Sequence, residues 1–319
     1  MRPAGRSILL LSALLAAAPA AIAQAWPDRP VRIVAPFAPG GSADTLGRLV
    51  AQKLADSLKQ SFVVENRPGA GGVIGSEFVA KAAPDGYTLV VSGVASHVIA
   101  PAIAKVPFDP MRDFTHIALF GGPPIVLAVG PATGVRDLAG FVQVAKRRPG
   151  EIAYGSPGNG TNGHLVAELL EMQAGIRLVH TPYKGAALAV SDLLGGHIPS
   201  VSVTLTTASA HIRAGKMVGL AVSAPKRLDD YPTLPTFAEA GYPELVATTW
   251  FALSGPAGIP PDVVALLNAE VRRILKLPDV REKLRVDGIE PNDLDARAFT
   301  EFVRAEVARW TPVARGATP

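Results

Sequence analysis

The stretch Val31-Arg32-Ile33-Val34-Ala35-Pro36-Phe37-Ala38-Pro39-Gly40-Gly41-Ser42-Ala43-Asp44 passes from an apolar run through a Pro/Gly turn into a helical pattern. Leu46, Leu49, Val50, Leu54 and Leu58 follow at helical spacing and share one stripe. Val31 to Phe37 therefore reads as a strand, Pro39-Gly40-Gly41 as a turn and Ser42 as a helix N-cap. The same order of apolar run, Gly/Pro loop and amphipathic helix recurs downstream, which is the signature of an α/β fold.

Outward from this unit, Phe62 to Glu65 and Tyr87 to Ser92 read as strands, with a glycine-rich loop Arg67 to Gly72 and a helix Val73 to Ala82 between them. Ile117 to Val129 is apolar but broken by Gly121-Gly122-Pro123-Pro124, so strands around a bend are expected. A second unit of the same kind follows Gly130. It has helices at 137–146, 164–174, 186–194 and 208–214 and strands at 151–154, 177–182, 198–203 and 218–223. A further apolar run at 249–253 precedes helices at 261–275, 278–286 and 298–314. The bends near 121–130 and 248–256 are read as two chain crossings. Residues 24–125 and 248–319 would form a discontinuous first domain and 126–247 a second, with a cleft between them.

Composition narrows the chemistry. The chain has 319 residues, 48% of them apolar, with 31 Gly and 29 Pro, so a buried core with many loops is expected. It has no Cys, which excludes disulfides, thiolate catalysis and Cys-ligated metals. Residues 1–23 carry Arg2 and Arg6, the apolar run Ile8 to Ala18 and the small-residue site Ala21-Ile22-Ala23, the three regions of a secretory signal peptide. Its removal would lower the formal charge from +4 to +2, because two arginines leave. Lys146-Arg147-Arg148 has no interleaved aromatic residues, so a solvated surface is expected there and no nucleic-acid partner.

Two loops carry the binding signals. In the first, successive glycines before a helix start let backbone N–H groups converge on a carboxylate or phosphate. Asp44 would repel such an anion, so its expected roles are to complement the helix dipole, to order the loop, or to accept a bond from an amine or hydroxyl. The second loop, Ser156-Pro157-Gly158-Asn159-Gly160-Thr161-Asn162-Gly163-His164, contains G-x-G-x-x-G between a strand and a helix. The acidic residue that a dinucleotide site needs about 20 positions on is missing, so an uncharged hydrogen-bonding loop is expected and no cofactor. The six histidines are scattered without metal-ligand spacing, and no metal is expected. Lys184, after Tyr183, could approach an anion or be solvated.

Several segments taken in order resemble the Bug family of periplasmic solute receptors, the TctC-like binding subunits of tripartite tricarboxylate transporters. They include Trp26-Pro27-Asp28-Arg29-Pro30 into Pro36 to Asp44, Val64-Glu65-Asn66-Arg67-Pro68-Gly69-Ala70-Gly71-Gly72 and Pro84-Asp85-Gly86-Tyr87-Thr88. Tyr154 to His164, Pro182-Tyr183-Lys184-Gly185, Asp192-Leu193-Leu194-Gly195-Gly196, Ile212 to Lys216, Leu234 to Gly241, Trp250 and Glu306 to Trp310 continue the match. The resemblance implies a two-lobed, type II-like periplasmic binding protein of the Venus flytrap kind, with two hinge crossings and no enzymatic activity. It implies a small carboxylate ligand, held between the loops through backbone groups, hydroxyls and ordered water.

The site residues implied are Pro39, Gly40, Gly41, Ser42 and Asp44 from the first loop and Ser156, Gly158, Gly160, Thr161, Asn162 and His164 from the second. Ser92, Ser96 and His97 would form a further wall. Where the family often carries an Asp-Asn pair, this chain reads Val201 to Thr207, so the hydroxyl of Thr204 joins the candidate set. The implied partners are transporter membrane subunits or a sensor protein, and the expected state is a periplasmic monomer. An exported hydrolase using Ser156 or Ser42 with His164 is the competing enzymatic reading.

Overall fold

A computed structural model describes residues 26–316, so the expected signal peptide at 1–23 lies outside the described residues. The chain runs through β1 (Val31–Ala35), α1 (Ser42–Leu58), β2 (Phe62–Asn66), α2 (Val73–Ala80) and β3 (Thr88–Gly93). A π-helical turn (Ala95–Ile99) then continues into α3 (Ala100–Ile103) before β4 (Phe114–Gly121). The second unit comprises β5 (Ile125–Val129), α4 (Leu138–Arg147), β6 (Ala153–Ser156), α5 (Asn162–Ala174), β7 (Val179–Pro182), α6 (Ala186–Leu194), β8 (Ser200–Thr204), α7 (Leu205–Arg213) and β9 (Val218–Val222). The chain returns through β10 (Phe251–Pro256) into α8 (Pro261–Leu275), α9 (Pro278–Val286) and α10 (Ala296–Gly316).

These strands form two five-stranded sheets, ordered β2-β1-β3-β10-β4 and β7-β6-β8-β5-β9. In the first, β2, β1 and β3 are parallel and β10 runs antiparallel between β3 and β4. In the second, β7, β6 and β8 are parallel and β5 runs antiparallel between β8 and β9. The two sheets thus share one plan, a two-lobed α/β architecture. The chain passes between them twice, from β4 to β5 and from β9 to β10, and the two crossings touch at a bridge between Pro124 and Thr248.

Side-chain alternation explains why both faces of each sheet are covered. Val31 and Ile33 join one apolar cluster with Leu46, Val50 and Leu54 of α1, while Val34 joins another on the opposite face. In the second sheet Ile125, Leu127 and Val129 point one way, and Val126 and Ala128 point the other, toward Ala189 and Val190 of α6. One cluster runs through both lobes, joining Leu119 and Ala252 of the first sheet to Ile125 and Leu127 of the second and to Phe299 and Val303 of α10. Among the described residues, no helix is long and apolar enough to cross a membrane.

One local expectation changes. The N-cap of α1 is Gly41, which has no side chain to cap with, and the hydroxyl of Ser42 donates to Thr204 of the other lobe. The segment after β3 is helical from Ala95 onward. Pro101 lies within this segment, directly after the π-helical turn and in the first turn of α3.

Candidate functional site

The first loop is held open by a buried carboxylate. Asp44 lies in the first turn of α1 and accepts hydrogen bonds from Gly40 N (3.0 Å), Arg48 Nε (3.0 Å) and Asn66 Nδ2 (2.9 Å). Asn66 also donates to Phe37 O (3.0 Å), so β2 and α1 together fix the turn. Burial pushes the Asp44 carboxyl up, but the bonds from Arg48, Gly40 and Asn66 and the Arg48 charge outweigh it and hold the group below its ordinary range. The carboxylate therefore orders the loop, one of the roles its position allowed, and it does not line the cavity beyond.

The second loop rests on two stacked imidazoles. His164 and His180 lie 4.2 Å apart, and His180 stacks in turn on Tyr154 at 4.9 Å. Gly160 N donates to His164 Nδ1 (3.3 Å), Gly158 N donates to Ser156 Oγ (3.1 Å), and Thr161 Oγ1 donates to Gly158 O (2.8 Å). Burial lowers both histidines. His180 falls to about 4, with His164 adding to the effect, while Glu168 partly offsets the burial of His164. Ser156 pairs with His180 Nε2 (2.7 Å) rather than with His164, which corrects the pairing expected for a hydrolase.

Between the loops lies a cavity of about 50 Å3. Of the candidate residues, Gly41, Ser42, Ser96, Thr161, Asn162 and Thr204 line it. Gly158 lines an adjoining outer chamber. Asp44, Ser156 and His164 stand behind the loops, Pro39 and Gly40 are exposed, and Gly160 faces Ile99 and Ile103. Ser92 bonds to Ser254 (2.7 Å) inside the first lobe, and His97 is buried against Phe108 and Phe114. Neither lines the cavity, whereas Gly93 to Ser96 between them do.

The wall is completed by residues that sequence reasoning did not single out: Phe37, Pro157, Ile125, Thr249, Phe251 and Ala186 among them. Ile125 and Thr249 come from the two crossings, a placement that only long-range pairing sets. Phe37 stood inside the loop that decided the fold, and its aromatic ring was the available signal.

The electrostatics come from backbone. The starts of five helices open onto this one cavity: α1 through Ser42 and Ala43, the 95–103 helical segment through Ala95 and Ser96, α5 through Asn162 and Gly163, α6 through Ala186, and α7 through its N-cap Thr204. None of the five is closed by a side-chain cap, which is also true of α2, α8 and α9 away from the cavity, whereas α4 is capped by Asp137 accepting from Gly140 N at 2.7 Å. Orphan N–H groups and the positive ends of helix dipoles therefore converge where no charged side chain lines the wall. The Asn162 amide also makes no hydrogen bond among the described residues, and its Oδ1 is fully buried.

The lobes touch across this cavity. Ser42 Oγ donates to Thr204 Oγ1 at 2.7 Å, Thr204 in turn meets Thr207 Oγ1 at 3.2 Å, and Ala38 N donates to Lys184 O at 2.9 Å. Of the hydroxyls in the Val201 to Thr207 segment, Thr204 and Thr207 thus form an inter-lobe relay, while Ser202 Oγ and Thr206 Oγ1 are buried without a hydrogen bond among the described residues. No group of three metal-ligating side chains occurs among the described residues.

Residues 46–317 match the family described as "Tripartite tricarboxylate transporter family receptor". Protein BugT of Bordetella pertussis is 36% identical over 295 residues, 92% of this chain and 90% of that protein. The structure of R. palustris Rpa4515 with adipate superposes with a TM-score of 0.88 at 35% identity, covering 92% of this chain and 98% of that one. That of MatC from Rhodopseudomonas palustris with bound malate gives 0.85 at 32% identity, covering 90% and 99%. Family match, relatives and fold agree: the chain belongs to the receptors of the tripartite tricarboxylate transporter family.

Proposed function

We propose that the protein is a periplasmic receptor that captures a small organic carboxylate between its lobes and delivers it to the membrane subunits of a tripartite tricarboxylate transporter. The observation that carries this reading is the convergence of five uncapped helix starts on one cavity without a charged side chain. Such N–H groups satisfy a carboxylate directly or through ordered water, and the dipoles favour its charge. The adipate and malate seen with two relatives support the ligand class. The two crossings support lobes of 24–125 with 248–319 and of 126–247, and the leader-like segment 1–23 supports export. The ligand would close the lobes by bridging the two loops.

A receptor rather than an enzyme fits the hydroxyls. Ser42 pairs with Thr204, Ser156 pairs with a histidine outside the cavity lining, and Ser96, the cavity serine that adjoins a histidine (His97 Nδ1, 2.9 Å), has no acid behind that ring, whose Nε2 makes no hydrogen bond among the described residues. One chain completes the cavity, which supports a monomer. A thermal-shift screen on protein stripped of ligand by unfolding and refolding tests the reading. Organic acids should raise Tm, since saturation at about 100 times Kd adds ~2.7 kcal/mol. Stabilisation only by sugars, amines or other non-acids would refute it.

A further inference from the structure

We propose that His97, which does not line the cavity, is a positioning residue that fixes the hydroxyl of Ser96 as a hydrogen-bond donor to the ligand carboxylate. The proposal rests on the inner cavity holding a carboxylate. Ser96 and His97 are neighbours on the π-helical turn that follows β3, a local geometry that recurs at functional sites. Ser96 lines the cavity, while the fully buried His97 ring packs on Phe114, at 4.5 Å between centroids, and on Phe108, at 6.1 Å. The two side chains meet at 2.9 Å, Ser96 Oγ to His97 Nδ1.

Proton accounting gives this contact a direction. Burial, with His116 adding to it, holds His97 well below its ordinary range, so the ring is neutral and carries one N–H. His97 Nε2 is buried and has no hydrogen-bond partner among the described residues. A proton on Nε2 would strand a donor in the core and leave Nδ1 to take the Ser96 hydrogen. With the proton on Nδ1, that N–H donates to Ser96 Oγ, and the hydroxyl keeps its own hydrogen for a second acceptor. Two bonds then form in place of one, and the atom left over is a bare nitrogen, which a core tolerates better than an orphaned N–H. His116, whose ring lies 6.3 Å away, has the opposite tautomer. Its Nε2 faces Pro110 O at 3.1 Å, and a carbonyl only accepts, so Nε2 carries the proton and Nδ1 accepts from Ser254 Oγ at 3.1 Å.

The hydrogen that Ser96 keeps has a poor acceptor inside the protein, Gly93 O at 3.5 Å, the outer limit of a bond. Other cavity hydroxyls spend theirs: Ser42 donates to Thr204 Oγ1 at 2.7 Å and Thr161 to Gly158 O at 2.8 Å. Thr249 makes no side-chain hydrogen bond among the described residues, and no group behind it fixes which way its hydrogen turns. Ser96 is different, because an oxygen that accepts from Nδ1–H offers its hydrogen elsewhere, and the two bonds in series polarise toward an anion. The proton runs the opposite way in a nucleophile and its base, where the ring takes the serine hydrogen.

Two-bond 1H–15N correlation NMR of ligand-free protein labelled at histidine tests the tautomer. The His97 signal, assigned by its loss in His97→Asn, should show a protonated Nδ1 and a bare Nε2, and His116 should show the reverse in the same spectrum. A protonated Nε2 on His97 overturns the proposal. Calorimetry with acetate, hexanoate, benzoate, butanedioate and hexanedioate tests the donor. For whichever of these acids binds most tightly, Ser96→Ala should weaken binding about tenfold or more, since a hydrogen bond to a charged group is lost. His97→Leu should weaken it about fivefold, and His97→Asn, which keeps a donor near the Nδ1 position, about twofold at most. In a Ser96→Ala background His97→Leu should add nothing, because the positioned group is already gone. Unchanged affinity in Ser96→Ala overturns the proposal. So does an equal loss from His97→Leu in both backgrounds, which would show that His97 acts through packing alone. Where His97→Leu does not fold, the wild-type tautomer and Ser96→Ala decide. Failure of all five acids to bind removes the carboxylate reading and the donor role with it, whatever the tautomer.

Discussion

Asp44 and His164 show how single side chains set a loop without touching what it surrounds. The Asp44 carboxylate satisfies three donors at once, from Gly40, Arg48 and Asn66. Asp44→Asn keeps the size but puts an NH2 where an acceptor stood, so a buried donor loses its partner. Calorimetry should show carboxylate affinity falling about tenfold for that variant; unchanged affinity would remove Asp44 from the loop's support. His164 Nδ1 is an acceptor for Gly160 N–H, and protonation there would turn it into a second donor. The groups facing it are Glu168 at 3.5 Å and the stacked His180. His116, His164 and His180 are all held below their ordinary value by burial, with His116 and His180 at about 4. Between about 6.5 and 4 the unfolded chain therefore binds more protons than the folded one, and stability is lost as pH falls through that window. The buried His116 alone accounts for roughly 3 kcal/mol by pH 4. Tm measured from neutral pH down to the folded-state values should decline steadily, and a flat profile would contradict the assignment of neutral buried imidazoles.

At the scale of elements, local pattern settles what forms and long-range packing settles where it goes. The helices at 186–194, 261–275 and 278–286 have the bounds their apolar spacing predicts. The strands are displaced by a few residues at most because their alternation is short. No local signal tells β10 to insert antiparallel between β3 and β4, since its partners lie more than a hundred residues upstream. The start of the 95–103 helical segment is one of the five that open on the cavity. The two loops were legible because glycine requirements are local, whereas Ile125 and Thr249 became wall residues only through the crossing of distant segments. Gly163 makes the helix scale testable. A Cβ there would lie 2.2 Å from Ser202 O of β8, so Gly163→Ala must lift the start of α5 off the sheet. A shift of about an ångström in oriented donors costs about tenfold or more in affinity. Gly175→Ala, at the other end of α5 with open space around it, should lower Tm slightly without changing affinity. Equal effects of the two on binding would show that the α5 start has no special place in the site.

At the scale of the whole molecule, each sheet contains one antiparallel strand delivered by a crossing, β5 in one and β10 in the other, so neither lobe is complete without the hinge. The hinge is tight: a Cβ on Gly122 would lie within bonding distance of a Thr249 backbone atom, and Leu205 N donates to Pro124 O at 2.9 Å. Away from this hinge the lobes share the apolar cluster already described and are joined by hydrogen bonds across the cleft. The Ser42 to Thr204 bond is one of them, and its two hydroxyls belong to different lobes. If that bond stabilises the closed form, Ser42→Ala and Thr204→Val each remove the same contribution, about 1 kcal/mol for a neutral pair. Each single variant should weaken carboxylate binding about fivefold, and the double variant should weaken it no further, because one bond cannot be lost twice. Small-angle scattering of ligand-free protein should then show a larger radius of gyration for the double variant than for wild type. Additive losses in the cycle would mean that the two hydroxyls act separately on the ligand, and the closure bond would have to be sought instead at Ala38 and Lys184.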